Sequence, residues 1–315
     1  SFIDAREARF YRDFAGPTGF NVPRCLYAEL DERGSGIVLL EDLVARGINP
    51  GKIQVVINGV ELSRYRPVPR NPDLEREWGL RGRFVVGYIG THGLCQGLAN
   101  VLLAAETLGK SGEVVFLLVG SGAEREALIK EAARRNLTQV VFGEAQPKER
   151  MPDVWSVCDV ALVHLKDDPL FGTVIPSKIF EAMGMGLPLI LVAPDGEARR
   201  LVEESGAGLA VPAGRPEALA AAVQRLHQDA GLLRQLAGAS RVAAQRFSRE
   251  RQARDMLEVL LRVVGPADAA GTTRAAAGRG RVRSPASARR AAAEVRHPMG
   301  HAGRSPGTVA GRPSH

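Results

Sequence analysis

The segment "GTVIPSKIFEAMGMGLPLI", Gly172 to Ile190, carries a lysine and a glutamate three residues apart in an otherwise apolar stretch. Proline is favoured in the first helical turn and serine at the N-cap, so a helix is expected to open at Pro176 or Ser177. Lys178 then lies near the helix start, and Glu181 follows one turn later on the same face. The simplest account is a surface ion pair, worth about 0.2–0.5 kcal/mol. The neighbouring residues are too apolar for a solvated face, which favours a polar ligand instead. A carboxylate can accept two hydrogen bonds from a vicinal diol. A lysine beside a helix N-terminus favours phosphate. Diol and phosphate together describe a nucleotide.

Two glycine-rich stretches could face the same ligand. "GYIGTHGLCQG", Gly87 to Gly97, ends an apolar run and opens a helical pattern, so its backbone N–H groups can meet an anion. "VGSGAERE", Val119 to Glu126, has the same placement. Each loop taken alone also reads as an ordinary tight turn. Neither completes a dinucleotide fingerprint with a following ribose-binding acid, and there is no Walker A lysine pattern.

The elements that must position these residues alternate from Phe84 to Ala210. Apolar runs "FVVGYIG", "VVFLLVG", "QVVFG", "DVALVHL", "PLILV" and "GLAV" read as strands. Helical patterns cover Gly97–Leu108, Ala123–Asn136, Lys148–Cys158, Ser177–Met185 and Glu197–Ser205, and three more follow at Arg215–Gln228, Gly231–Phe247 and Ser248–Val264. Short continuous apolar strands separated by helices imply an α/β fold with a doubly wound, parallel, Rossmann-like sheet, whose ligands bind at the carboxyl ends of the strands. Ser1 to Gly36 has no clear period. "IVLLEDLVARGI" reads as a strand end or helix, and "KIQVVINGV" as a strand and turn.

Composition limits the function classes. The 315 residues are 45% hydrophobic and carry a net charge of +7. Nine arginines against two acids between Gly265 and His315 account for all of that charge, leaving 33 basic and 33 acidic residues before them. The basic pI belongs to a tail, so a nucleic-acid partner is not expected. The tail is poor in large apolar residues and is read as disordered, with a basic arm as the sharper alternative. Three cysteines, Cys25, Cys95 and Cys158, form no metal or disulfide pattern. A cytoplasmic setting is expected, and no apolar run reaches the roughly 20 residues of a membrane span.

The order "KIQVVINGVELSRYRP", "VVGYIGTHGLCQGLANVLLAAETL", "FLLVGSGAEREAL", "DVALVHL", "PSKIFEAMGMGLPLI" and "GEARRLVEESGAGLAV" resembles group 1 (family 4) GT-B glycosyltransferases from about Ile37 to Val264. Within them it is most similar to the fucosaminyltransferase-like and colanic-acid-type branch. The resemblance implies a retaining transferase with no metal in the site and no cofactor. Its implied partners are a nucleotide-sugar donor and a glycan or lipid-linked acceptor, the latter with peripheral association at the inner membrane face. It assigns Glu181 to the donor ribose, Lys178 to the diphosphate, and Gly90, Thr91, His92 and Gly93 to the loop by the phosphates and the reaction centre. Asn58 and Gly59 match the hinge turn. Two positions depart from the family pattern: Thr173 stands where a glutamate is usual, and Gln96 where a lysine is usual. Thr173 and the following backbone N–H groups, through Val174 to Ser177, are the expected substitutes.

A GT-B enzyme has two Rossmann-like domains with the site between them. The domain expectation here is a remnant of the first domain and the hinge over 1–67, the nucleotide-sugar domain over 68–264 and a disordered tail over 265–315. The catalytic residues of the first domain are expected to be absent, and the chain inactive alone. The head and tail read as frame-shifted sequence. A non-catalytic nucleotide-binding module and a GT-B-type sugar-nucleotide epimerase are the alternatives.

Overall fold

A computed structural model of the chain describes residues 59–109 and 112–264, positions 47, 49 and 55–57, and the backbones of three short strands before them. Those strands, β1 (Phe2–Asp4), β2 (Cys25–Leu30) and β3 (Ser35–Leu40), form an antiparallel sheet in the order β1-β3-β2. The stretch from Ile37, read as a strand end or helix, is a strand as far as Leu40. Val55 to Ile57, read as part of a strand, lie outside regular structure, and among the described residues of that stretch Val60 makes the one bridge, to Ser248. Asn58 and the tail after Val264 lie outside the described residues. Two compact units divide the chain, Ser1–Leu260 and Leu261–His315, and the second is described only at its first four positions.

The first unit is built on six parallel strands: β4 (Phe84–Ile89), β5 (Val114–Val119), β6 (Val140–Gly143), β7 (Val160–His164), β8 (Leu189–Ala193) and β9 (Gly208–Pro212). Their spatial order is β6-β5-β4-β7-β8-β9. The chain winds outward from β4 to one edge and then from β7 to the other. This is the doubly wound order, with its switch point between β4 and β7. Strand pleating sends alternate residues to opposite faces. Val85, Ile89, Val115, Leu117 and Val163 point into one buried layer, while Val86, Tyr88, Phe116, Leu118 and Leu162 point into the other. Both faces are apolar because helices cover both.

The covering helices are α1 (Pro72–Glu77), α2 (Ala99–Leu108), α3 (Arg125–Arg134), α4 (Met151–Ser156), α5 (Lys178–Met185), α6 (Glu197–Ser205), α7 (Pro216–Gln228), α8 (Ala230–Arg246) and α9 (Arg249–Val264). The first of these has no counterpart in the sequence reading. It is only six residues long, too short for a visible period, yet it is well capped: the Asn71 side chain accepts from the N–H groups of Asp73 and Leu74. α5 buries Ile179, Phe180, Ala182, Met183 and Met185, and α4 buries Trp155 beside it. Each such large side chain contributes about 1.5–3 kcal/mol by leaving water. Among the described residues no helix is long and apolar enough to cross a membrane.

Gly59, matched to a hinge turn only by resemblance, has a steric reason for its type. A Cβ on Gly59 would stand 2.2 Å from the Phe247 carbonyl oxygen. The chain is pinned there by Val60 N–H donating to Phe247 O (2.9 Å) and Arg249 N–H donating to Val60 O (2.9 Å).

Candidate functional site

The carboxyl ends of β4 and β7, on either side of the switch point, gather the polar residues singled out above. Gly90 leaves β4 with φ +141°, a conformation that favours glycine. Its N–H donates to Val119 O at 2.9 Å. The neighbouring Gly120, after β5, has φ +150°, and a Cβ there would come within 1.9 Å of Gly90 O. The two glycine loops therefore pack backbone against backbone. His92 N–H donates to Ser121 O (2.8 Å), and Glu124 N–H donates to His92 O (2.9 Å).

Lys178 opens α5 and reaches across to this loop. Its Nζ donates to the Tyr88 hydroxyl at 2.9 Å, lies 4.0 Å from the Tyr88 ring centroid and presses on Gly90, where a Cβ would stand 2.8 Å away. The Tyr88 hydroxyl in turn donates to Thr91 O at 2.7 Å. Burial depresses the Lys178 ammonium to about 8, partly opposed by Glu181.

Glu181 takes the other direction. Burial raises its carboxyl, against the neighbouring Trp155 indole, the Tyr65 hydroxyl and Lys178, all of which favour the charged form. The Trp155 N–H is buried and completes no well-formed hydrogen bond, so it acts on Glu181 as a nearby dipole. Lys178 and Glu181 form no ion pair within 4.0 Å, which removes the surface-pair account. One helical turn holds a cation against the glycine loop and a carboxylate against two aromatic side chains. This arrangement can present positive charge and a hydrogen-bond acceptor to one polar ligand.

The remaining expected residues divide. Gln96 does not reach outward: its Oε1 accepts from Gly93 N–H (3.1 Å), closing the loop on itself. The Thr173 hydroxyl donates to Leu170 O (2.9 Å) at the end of a 3-10 turn, Pro169–Thr173, and Thr173 and Val174 are both exposed. Ser177 occupies the N-cap of α5, but its side chain caps nothing. It is exposed and free to serve a ligand.

The model for group 1 glycosyl transferases matches residues 83–229. Over that stretch the chain is similar to group 1 glycosyltransferases. The chain is 29% identical over 192 residues to a probable glycosyltransferase, WbjE, of Pseudomonas aeruginosa, covering 59% of this chain and 47% of that protein. It is 34% identical over 225 residues to a D-inositol 3-phosphate glycosyltransferase of Rhodococcus erythropolis, covering 67% and 49%. The crystal structure of Anabaena HepE in complex with UDP superposes with a TM-score of 0.60 at 22% identity, covering 69% of this chain and 59% of that one. That likeness shows the fold. The chain spans about half the length of the curated relatives it matches.

Sequence reading missed several residues gathered around Lys178, Glu181 and the glycine loop. Tyr88 had a signal, a polar-tipped aromatic near the carboxyl end of a buried strand. Trp155 is one of only two tryptophans in the chain. His164, at the end of β7, is 2% exposed. Its Nδ1–H donates to Gln96 O (2.6 Å), and its Nε2 accepts from Asn100 Nδ2 (3.1 Å), which fixes a neutral tautomer. Burial lowers it to about 4, with the Gln96 bond opposing and Lys178 assisting. It ties the glycine loop to β7 from below. Arg125, opening α3, gave only a charge in a helix-start pattern.

Proposed function

We propose that this chain binds the nucleotide-sugar donor of a retaining glycosyltransferase acting on a glycan or lipid-linked acceptor, within the fucosaminyltransferase-like and colanic-acid-type branch. The observation that carries the reading is the separation of Lys178 from Glu181 at the start of α5, beside Gly90 and at the switch point. Lys178, with the backbone from Gly90 to Gly93 and near Thr173 and Val174, suits a diphosphate. Glu181 suits a ribose diol. UDP is the favoured nucleotide, since the Anabaena protein of the same fold was crystallised in complex with UDP. The motif "PSKIFEAMG", with Thr173 in place of a glutamate, supports the branch. Catalysis needs a surface facing this edge, and we assign that surface, with the acceptor site, to the extra length of the relatives. The group 1 match favours transfer over the epimerase and over a purely binding module.

The test is a thermal-shift panel of nucleotide diphosphates and nucleotide sugars. Ligands that bind only the folded state raise the melting temperature by mass action. A UDP-dependent rise is expected, and the absence of any rise at millimolar nucleotide would refute donor binding.

A further inference from the structure

The glycine loop covers a buried cluster that the donor reading leaves unexplained. His92 is 0% exposed, and neither ring nitrogen has a hydrogen-bond partner. Beside it, at the start of α3, Glu124 Oε2 and Arg125 Nε are also buried and unpartnered. Buried polar groups in folded proteins are almost always paired, so three such residues at one strand end call for an explanation. The groups that face His92 are Tyr88 from β4, with ring centroids 5.9 Å apart, Arg125 from α3 and Lys178 from α5. Glu124 adjoins through its own N–H to His92 O. Glu181 stands one turn beyond Lys178, held by Tyr65 and Trp155. The far end of Arg125 is tied to Glu144 at 2.6 Å, and Glu144 is 78% exposed.

The ring thus lies under two cations. Burial, then Arg125, then Lys178 lower it to about 4, so it is neutral at pH 7. Resting on the donor reading above, we propose that diphosphate binding at this edge draws a proton onto His92 and that Arg125 supplies the second cation for the anion. An anion beside Lys178 and Arg125 offsets the two positive charges that add to burial in keeping the ring neutral. The proton comes from solvent, adds to an imidazole nitrogen and returns on release, so charge balances across the cycle. His92 is fully buried, with Gly120 against its ring and Gly122 against its backbone, which places it beneath the charges rather than at the surface a ligand would meet. It is a positioning residue that acts through the charges above it. Arg125 fits the second-cation role because Thr91 and Gln96 bring no charge to the loop.

The experiment is calorimetric titration of the full chain with UDP-glucose, whose diphosphate lacks the terminal group that titrates near pH 6 in monoesters. Affinity is measured between about pH 5.5 and 8, in buffers of different ionisation enthalpy, for wild type, His92→Gln, His92→Asn and Arg125→Gln. An opposite charge shifts a neighbouring group by about two units, which places the bound ring near 6 and makes binding about fourfold tighter at pH 5.5 than at pH 8. Wild type should take up part of a proton on this limb. Both His92 variants should bind with a flat profile and no uptake, a result that loosened packing alone would not give. Arg125→Gln should weaken binding about tenfold, whereas Glu144→Gln, which frees Arg125 from its surface partner, should not. Donor binding with a flat wild-type profile, or uptake that survives in both His92 variants, overturns the proposal and leaves the donor reading intact. No binding at any pH overturns both.

Discussion

The two ends of the central strands β4 and β7 are built to opposite rules. At the amino end, Arg70 donates from Nε to Glu75 (2.8 Å), from one terminal nitrogen to Asp159 (2.8 Å) and from the other to Val157 O (2.8 Å). The second Asp159 oxygen accepts from Val85 N–H at 2.8 Å. Asn71 N–H finds the Ser156 hydroxyl (3.1 Å), which itself donates to Asp153 O (2.6 Å). At the carboxyl end, His92, Glu124 and Arg125 hold buried atoms with no partner. Both ends contain charged and polar side chains packed on the same sheet. The difference is satisfaction: the clasp pairs all of these polar groups within the fold, whereas the carboxyl end pairs Lys178, Tyr88, Gln96 and His164 but leaves atoms of His92, Glu124 and Arg125 unpaired. Unsatisfied buried groups cost stability, so they persist where another function needs them.

The largest test of this contrast is acid. His92 and His164 both sit at the carboxyl end and are lowered from 6.5 to about 4, chiefly by burial. The unfolded chain therefore binds more protons in that window, and stability present above pH 6.5 is lost as pH falls toward 4. On the order of 2 kcal/mol each is at stake, given 1.36 kcal/mol per pKa unit. Urea unfolding at pH 7 and pH 4.5 should show the loss, and His164→Asn combined with His92→Gln should flatten it. An unchanged slope in the double variant would place the acid sensitivity elsewhere.

Next in size is the clasp. Asp159→Ala takes one of three partners from Arg70, which keeps Glu75 and Val157 O, removes the acceptor of Val85 N–H, and should cost about 2–3 kcal/mol of stability. Donor affinity at the opposite end should not change, as nucleotide titration of the folded variant would show. Weaker binding without lost stability would invert the assignment of the two ends.

Glu181→Gln should do the reverse. It keeps the shape but loses charge-assisted acceptance, so nucleotide affinity should fall about tenfold, equivalent to about 1.4 kcal/mol. Stability should hold or rise slightly, since a buried carboxylate is no longer charged. Glu197→Gln, at an exposed position opening α6, is the control. Equal affinities for wild type and Glu181→Gln would end the ribose assignment.

The smallest expected effect is at Ser177. Its hydroxyl makes no cap bond, so Ser177→Ala should change stability by less than about 0.3 kcal/mol, against about 1 kcal/mol for a working cap. Thermal unfolding measures the difference.

The sequence by itself determined the sheet. Each apolar run from "FVVGYIG" to "GLAV" became a strand, because side chains buried on both faces must be apolar without alternation, and the helices between them followed from their period. It also placed the Gly90 loop and α5 at one edge, because parallel strands with helical crossovers leave their carboxyl ends on the same side. It missed α1, too short to show a period and held instead by the Asn71 cap. Tertiary structure alone decided what the polar residues do. Lys178 and Glu181 are neighbours in sequence, yet one is claimed by Tyr88, 90 residues away, and the other by Tyr65 and Trp155. The unpartnered state of His92, Glu124 and Arg125 was likewise invisible, since whether a buried group is satisfied depends on atoms from three separate elements meeting at distances that no local pattern encodes.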